Sequence, residues 1–330
     1  MTLVDSWDQD ELESLENEAD VRSFALDSAW TEAAVSSGYA RPQMLGLREG
    51  GRLLAVCVGL RRSRAGFSKV VCGTNGGAGI LASDPQAAAD LMREAWRLWR
   101  PSEMQVFGPR SIPPEGFTWV PSYTIHIDLR KPLELVLGGF KKQTRKHIDR
   151  AMKNDVRATT AVAHEVDEAL NLLSMTSRAK GFKLPPRKSL LSLHQCFAKE
   201  ALSEFVVAKR DDRILATVHV IGARGVASWW KSGATAEGYS LNAPSVAVCH
   251  AMRVAADRGF ETFDMGGTHP SDPKYAAIHE YKSSFGGNLI QMAVGSRSTR
   301  AAKAARILAQ SVLDRHRGPE LGNQPSPRER

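Results

Sequence analysis

The 330-residue sequence is poor in cysteine. Its four cysteines, Cys57, Cys72, Cys196 and Cys249, stand far apart, with no C-x-x-C and no paired histidine spacing. That pattern argues against a structural zinc site and reads as reduced, mostly buried thiols. Long apolar runs are missing too. The run "LLAVCVGL" (53–60) is only strand-length, well short of the roughly 20 residues that span a bilayer as a helix. The opening "MTLVDSWDQDELESLENEAD" is acidic, the opposite of a secretory leader, so a cytoplasmic location is expected. There is no G-x-S-x-G nucleophile elbow and no dinucleotide fingerprint; "CGTNGGAG" (72–79) carries glycines but follows a hairpin.

What remains is an ordinary globular composition, 42% hydrophobic and 24% charged, on a chain long enough for two cores. The net charge of +8 is unevenly placed. Residues 1–27 hold nine acids and one arginine, whereas "KKQTRKHIDRAMKNDVR" (141–157) holds seven bases and two acids. From Arg297 to Arg330 there are eight bases and three acids. Two basic segments on a balanced chain point to a polyanionic partner, because phosphate contacts draw on Lys and Arg. A solvated helix face and a disordered tail would read the same way.

The pattern of elements occurs twice. "LREGGRLLAVCVGLRRSRAGFSKVVCGTNGGAGI" (47–80) reads as three strands joined by tight turns, followed by a helix "PQAAADLMREAWRLW" (85–99) and a strand "EMQVFG" (103–108). "AKRDDRILATVHVIGARGVASWWKSGA" (208–234), "APSVAVCHAMRVAADRGF" (243–260) and "ETFDMGG" (261–267) repeat that order about 160 residues later. Gly-Gly and Asp-Asp between apolar runs are hairpin turns, and a long helix before the next strand adds a crossover. Each half is therefore α+β with a mixed sheet. The offset is too long for a solenoid and implies two similar domains. The expected limits are 1–130, 131–296 carrying the candidate site, and a basic helix with a disordered tail over 297–330. A strand at 123–129, a basic helix at 141–153, helices at 165–182 and 186–202, a short helix at 275–285 and a strand at 288–295 complete the expectation.

The stretch "HEYKSSFGG" (279–287) places Lys282 in the last turn of that short helix. Gly286 and Gly287 end it, next to a loop at a strand end, where sites tend to be built. Taken alone, one lysine here would be a solvated surface residue.

Several segments together resemble the Fem-type, aminoacyl-tRNA-dependent peptidyltransferases. "FKKQTRKHIDRAMKNDV" is similar to the segment opening that family's second domain, and "NLLSMTSRAKGF" to its Thr-x-x-Arg-x-x-Gly-aromatic helix end. The block "WWKSGATAEGYSLNAPSVAVCHAMRVAADRGFETFDMGG…EYKSSFGG" is similar to its most specific stretch. The likeness covers residues 120–295 well and the N-terminal part loosely, and it is of the compact type without a helical-hairpin arm. It implies two tandem GCN5-related N-acyltransferase-like domains. It also implies transfer of an amino acid from tRNA to an amine, either of a peptidoglycan precursor or of a small molecule in an antibiotic pathway.

An aminoacyl ester is already activated, so such a reaction asks for no metal, cofactor or enzyme nucleophile, only alignment and an oxyanion donor. By resemblance Lys282 is that donor, with Tyr281 its neighbouring aromatic. Asp264 would orient the amine or take its proton, though an Asp before Gly266-Gly267 also suits a turn. Arg178, Tyr239, Asn242 and Trp230 are candidates for substrate contacts, with Asn242 equally suited to a helix cap. Lys141, Lys142, Arg145, Lys146 and Arg150 are candidates for tRNA phosphates. Trp30 is followed by Glu32 and not by the lysine seen in members acting on nucleotide-linked precursors, which leaves room for a small-molecule amine. Two other readings stand beside this one. An acyl-CoA N-acyltransferase shares the fold, although "GYSLNAPS" lacks the glycine spacing of a pyrophosphate loop. A non-catalytic polyanion-binding protein would explain the charge alone.

Overall fold

The computed structural model describes residues 1–19, 21–74, 77–109 and 116–316. The tail "GPELGNQPSPRER", expected to be disordered, lies outside them.

The N-terminal half runs β1 (Thr2–Val4), α1 (Gln9–Ala19), α2 (Ser28–Ser37), β2 (Arg41–Glu49), β3 (Arg52–Arg64), β4 (Phe67–Thr74), β5 (Gly77–Ala78), β6 (Ile80–Ala82), α3 (Pro85–Trp99), β7 (Glu103–Pro109) and β8 (Thr118–Asp128). The C-terminal half adds α4 (Leu133–Gly138), α5 (Lys142–Lys153), β9 (Arg157–Thr160), α6 (Ala163–Lys180), α7 (Arg187–Glu200), β10 (Leu202–Arg210), β11 (Arg213–Ala223) and β12 (Val226–Ala234). It ends with α8 (Ala236–Ser240), α9 (Ala243–Asp257), β13 (Thr262–Asp264), α10 (Ala276–Ser283), β14 (Asn288–Ser298) and α11 (Arg300–His316).

Local chemistry accounts for most of these limits. The tight hairpins turn on Gly50-Gly51, Ala65-Gly66, Asp211-Asp212 and Arg224-Gly225, every one at positive φ. Two positive-φ residues between strands is the turn whose twist matches a right-twisted hairpin. Asp84 caps α3, accepting from the backbone N–H of Gln86 and Ala87, and Pro85 follows at the first helical position. Along α3, Ala88, Leu91, Met92, Ala95 and Trp99 are buried at helical spacing against the sheet.

The strands form one sheet in the order β1-β2-β3-β4-β7-β14-β8-β13-β12-β11-β10-β9, with β5 and β6 as side branches. This order is a palindrome about the β8–β14 pair. The parallel β4–β7 contact answers the parallel β12–β13 contact, and the flanking hairpins answer each other. The duplication is therefore real at the level of backbone topology. The two units exchange strands: β14 lies between β7 and β8, and β8 lies between β14 and β13.

The N-terminal segment also reaches across the palindrome axis. Trp30 of α2 packs edge-on against Trp230 of β12, and Ser192 of α7 donates to the Ala33 carbonyl. Glu16 of α1 and Arg224, at the tip of the β11–β12 hairpin, form a 2.6 Å ion pair whose side chains are 2% and 4% exposed. Removing one member of such a pair strands the other charge out of water. Glu16→Ala is expected to lower the unfolding free energy by about 3 kcal/mol, read from urea denaturation; an unchanged midpoint would show that the pair is not closed in solution.

Candidate active site

The site sits where β12 and β13 part. They pair over only three residues each, Val226–Ser228 with Thr262–Asp264. β12 then runs on to Ala234, while the chain after Asp264 follows β8 instead, with Met265 N–H donating to the Ile125 carbonyl and Thr268 N–H to that of Tyr123. A register shift beside Trp230 helps to splay β12. The result is a wedge with Trp229 on one wall and Asp264 at its apex.

Lys282 is brought to this wedge by α10, whose last turn it occupies. After α10 the chain returns to the sheet through Gly286 and Gly287, at φ +79° and +85°. A Cβ at Gly287 would come within 2.6 Å of the His126 carbonyl oxygen, so only glycine permits this approach. The Lys282 side chain is buried, 7% exposed. Its Nζ donates to the Gly267 carbonyl at 2.8 Å and lies 5.1 Å from the centre of the Trp229 ring. Burial pulls its pKa down from 10.5 to about 8, the charge of Asp264 opposes that fall, and Lys231 adds to it. At pH 7 the group is thus still mainly an ammonium. It has N–H donors left over after bonding Gly267.

Asp264 is 1% exposed. Its Oδ1 accepts from Thr124 Oγ1 and from the Gly266 N–H at 2.7 Å, so the turn-forming role is real. Its Oδ2 is buried with no hydrogen-bond partner and lies 3.7 Å from Nε2 of the partly exposed His126. One carboxylate oxygen is fixed and the other is left over, which suits a group that receives a proton.

Tyr281 is in the core: its ring packs edge-on against Trp229 and Phe285, and its hydroxyl meets Ser245 Oγ at 3.3 Å. Burial pushes its pKa up, so it stays neutral and braces α10. Tyr239 is half exposed on α8, with Lys180 Nζ 5.5 Å above its ring. Arg178 is exposed two residues earlier in the same helix end as Lys180. Asn242 stands at the cap position of α9 in the left-handed region, φ +57°, yet its side chain makes no cap bond. Trp230 turns to the opposite face from Trp229, against Trp30 and His219, so Trp229 and not Trp230 adjoins Lys282. Lys141, at the cap of α5, and Lys142, Arg145, Lys146 and Arg150 along it are all exposed, and Arg145 Nη1 also donates to the carbonyls of Gly138 and Phe140.

Sequence reasoning did not single out Thr124, His126 or Lys231. Thr124 and His126 alternate with the buried Ile125 and Ile127 on β8; polar residues at period two on a strand buried on both faces were the available signal. Lys231 sits over the Trp230 ring at 4.9 Å, and burial lowers its pKa.

The corresponding gap in the N-terminal half is filled. β5 pairs with β4 and β6 with β3, and Gly79 bonds across the opening, donating to the Phe107 carbonyl and accepting from Val58 N–H. A Cβ at Gly79 would stand 2.0 Å from the Gly73 nitrogen. Among the described residues, no backbone segment closes the C-terminal wedge in this way.

A lysine whose pKa is depressed on folding costs stability while it stays charged. Between pH 8 and 10.5 the folded chain has released a proton that the unfolded chain still holds, so stability rises with pH across that window. Lys282→Met should therefore unfold at higher denaturant than the parent at pH 7, by up to about 3 kcal/mol, and the gap should narrow towards pH 10.5. A pH-independent gap would show that Lys282 is not buried as a cation.

Residues 139–283 match the protein-family model described as an acetyltransferase (GNAT) domain. Among solved structures, the chain is similar to FemX, with a TM-score of 0.67 and 11% identity over 89% of this chain and 97% of that one. It is also similar to the C-terminal domain of a protein assigned as a lysylphosphatidylglycerol synthetase from Agrobacterium fabrum, with a TM-score of 0.53, 14% identity and 92% and 97% coverage. L-PGS from Bacillus licheniformis gives 0.50, 12%, 93% and 97%. No curated protein matches the sequence. The fold is that of tandem GNAT-like units, and this supports an acyltransferase.

Proposed function

We propose that the protein is an aminoacyltransferase that forms an amide between an amino acid carried on tRNA and an amine acceptor. The observation that carries this reading is Lys282: a buried ammonium bonded to a carbonyl oxygen, brought by α10 to the wedge that ends at Asp264, with donors to spare. A lysine serving structure alone would be paired with a carboxylate or left in water.

In this reaction the amine nitrogen attacks the ester carbonyl, and the oxygen that gains charge is met by Lys282. The proton lost by the amine passes to Oδ2 of Asp264, with His126 beside it. The carbon–oxygen bond to the tRNA ribose then breaks, and the ribose oxygen takes up the proton that Asp264 received and leaves as a hydroxyl, which restores the carboxylate. Tyr281 and Trp229 hold Lys282 in place. The residues of the C-terminal half carry the chemistry because its wedge is open and its counterpart is plugged.

The start of α9 supports a tRNA donor over acyl-CoA. A pyrophosphate there would need free backbone N–H groups. Pro244 has none, the Ser245 N–H is bonded to the Asn242 carbonyl, and Ala243 and Ser245 are buried. One observation favours the CoA reading, the match of residues 139–283 to an acetyltransferase domain. The acceptor is a peptidoglycan-type peptide or a small-molecule amine. Trp30 is committed to packing on Trp230 and Glu32 is solvent-facing, so that stretch offers no cation to a nucleotide-linked precursor.

The deciding experiment supplies the purified protein with total tRNA charged with labelled amino acids and a pool of amines and muropeptides, with and without ribonuclease, and labelled acetyl-CoA in parallel. Ribonuclease-sensitive transfer is expected; transfer from acetyl-CoA alone would establish the rival donor. Lys282→Ala should lower kcat by about 100- to 1,000-fold, and the parent's kcat should fall as pH rises through about 8. Intact turnover in Lys282→Ala would remove the lysine from the mechanism.

A further inference from the structure

A wide open groove lies well away from the wedge. It encloses about 1250 Å³ between the β3–β4 hairpin, the start of β2 and α11. Six bases line it, Arg41, Arg61, Arg62, Arg64, Lys69 and Arg306, against one acid, Glu103, which is already paired with Lys69 at 2.6 Å. Two like-charge pairs stand directly opposite one another across the strands, Arg41 with Arg61 and Arg62 with Lys69. Such pairs destabilise a sheet, and nothing among the described residues neutralises them fully.

The palindrome supplies the contrast. The matching hairpin of the C-terminal half, β11–β12, turns on Arg224-Gly225, as β3–β4 turns on Ala65-Gly66. There the tip arginine is covered by acidic α1 through the buried Arg224–Glu16 pair. At the β3–β4 tip no such cover exists: Arg62, Arg64 and Phe67 are exposed. Arg61 holds the Trp99 carbonyl and Ser68, and Arg62 holds the Tyr39 hydroxyl. The side chains of Arg41, Arg64 and Arg306 have no hydrogen bond or ion pair among the described residues, and all three are exposed.

We infer that this groove binds the phosphate backbone of an RNA stem. Arginine forks suit phosphate oxygens, and the exposed Phe67 beside them gives a face on which a base or ribose can rest. By strand rise and spacing, from Lys69 across four strands and along β14 to Asp264, the groove is roughly 40 Å from the wedge along the sheet. One small anionic substrate cannot touch both places, whereas a tRNA whose stem lies in the groove can carry its esterified end to the wedge. The inference rests on the aminoacyl-tRNA reading and adds to it a binding surface in the half of the molecule whose own wedge is plugged.

The test compares the full chain with the triple variant Arg41→Gln, Arg64→Gln, Arg306→Gln, using uncharged tRNA and fluorescence anisotropy over a salt series. These three side chains make no bonds, so the fold is expected to survive; matching thermal unfolding curves check this, and Arg64→Glu alone provides a second, smaller change. The expected result is tRNA binding weakened about 10-fold or more, with the salt slope reduced by about two to three and the KM for charged tRNA raised by a similar factor. Unaltered affinity and slope in both variants would overturn the groove and leave the transfer reaction standing. If the parent protein ignores tRNA but transfers from acetyl-CoA, the donor reading falls and the inference with it. If the variants lose binding to phosphatidylglycerol vesicles while still binding tRNA, the groove is a lipid surface and the inference is equally overturned.

Discussion

The antiparallel pairing of β8 with β14, nine residues in register, is the contact on which the molecule depends. Without it each half of the sheet would end in a bare row of backbone donors and acceptors, an edge open to wrong partners. The exchange removes both edges at once, because each strand also pairs with the far unit: β14 with β7, and β8 with β13. It also ties the chemistry to the fold. β13 and its extension to Thr268 are held against β8, and α10 is drawn in by the glycines that lead directly into β14. Lys282 is positioned by the same strand that joins the halves.

Symmetry at the level of topology is broken at the level of function. Both units part their parallel strands, β4 from β7 and β12 from β13. In the first, residues 77–82 fold into the opening and satisfy its backbone groups. In the second the opening keeps a buried lysine, a carboxylate oxygen without a partner and the indole face of Trp229. Buried polar groups left in this state cost stability, and in the first unit the same space shows that backbone can close it. Keeping it open in one unit alone is what a reaction site requires and what packing by itself does not.

The sequence carried the local features well. Hairpins at Gly50-Gly51 and Asp211-Asp212, the start of α3 at Pro85 and the stop of α6 at Gly181, φ +71°, all follow from turn and cap chemistry within a few residues. Partnership between distant strands did not follow. Nothing in "YTIHIDL" says that its neighbours are β13 and β14, because pairing is decided by tertiary contacts, and Thr124 and His126 acquire meaning only once β13 is placed beside them. The adjacent Trp229 and Trp230 were separable by alternation, but which one meets the site depends on the register shift between them. The buried pair Glu16–Arg224, 208 residues apart in the chain, left no local trace at all.

Charge within the wedge also constrains the reaction. Lys231 disfavours the proton on Lys282, burial disfavours the one on Lys231 itself, and the charge of the buried Asp264 favours the Lys282 ammonium. A further ammonium, brought in by an amine acceptor, would raise the repulsion in a region where water screens little. The acceptor is therefore favoured in its neutral form, which is also the form that attacks an ester. Once the bond forms, nitrogen becomes positive and oxygen negative within one intermediate. In the transfer proposed above, the oxygen would then gain from Lys282 and the nitrogen would shed its proton to Oδ2. An electrostatic field that opposes the charged amine before reaction and favours the separated charges during it lowers the barrier without binding the ground state more tightly. That combination explains why a lysine and an aspartate share the wedge without closing into a salt bridge: a closed pair would cancel the field that each supplies.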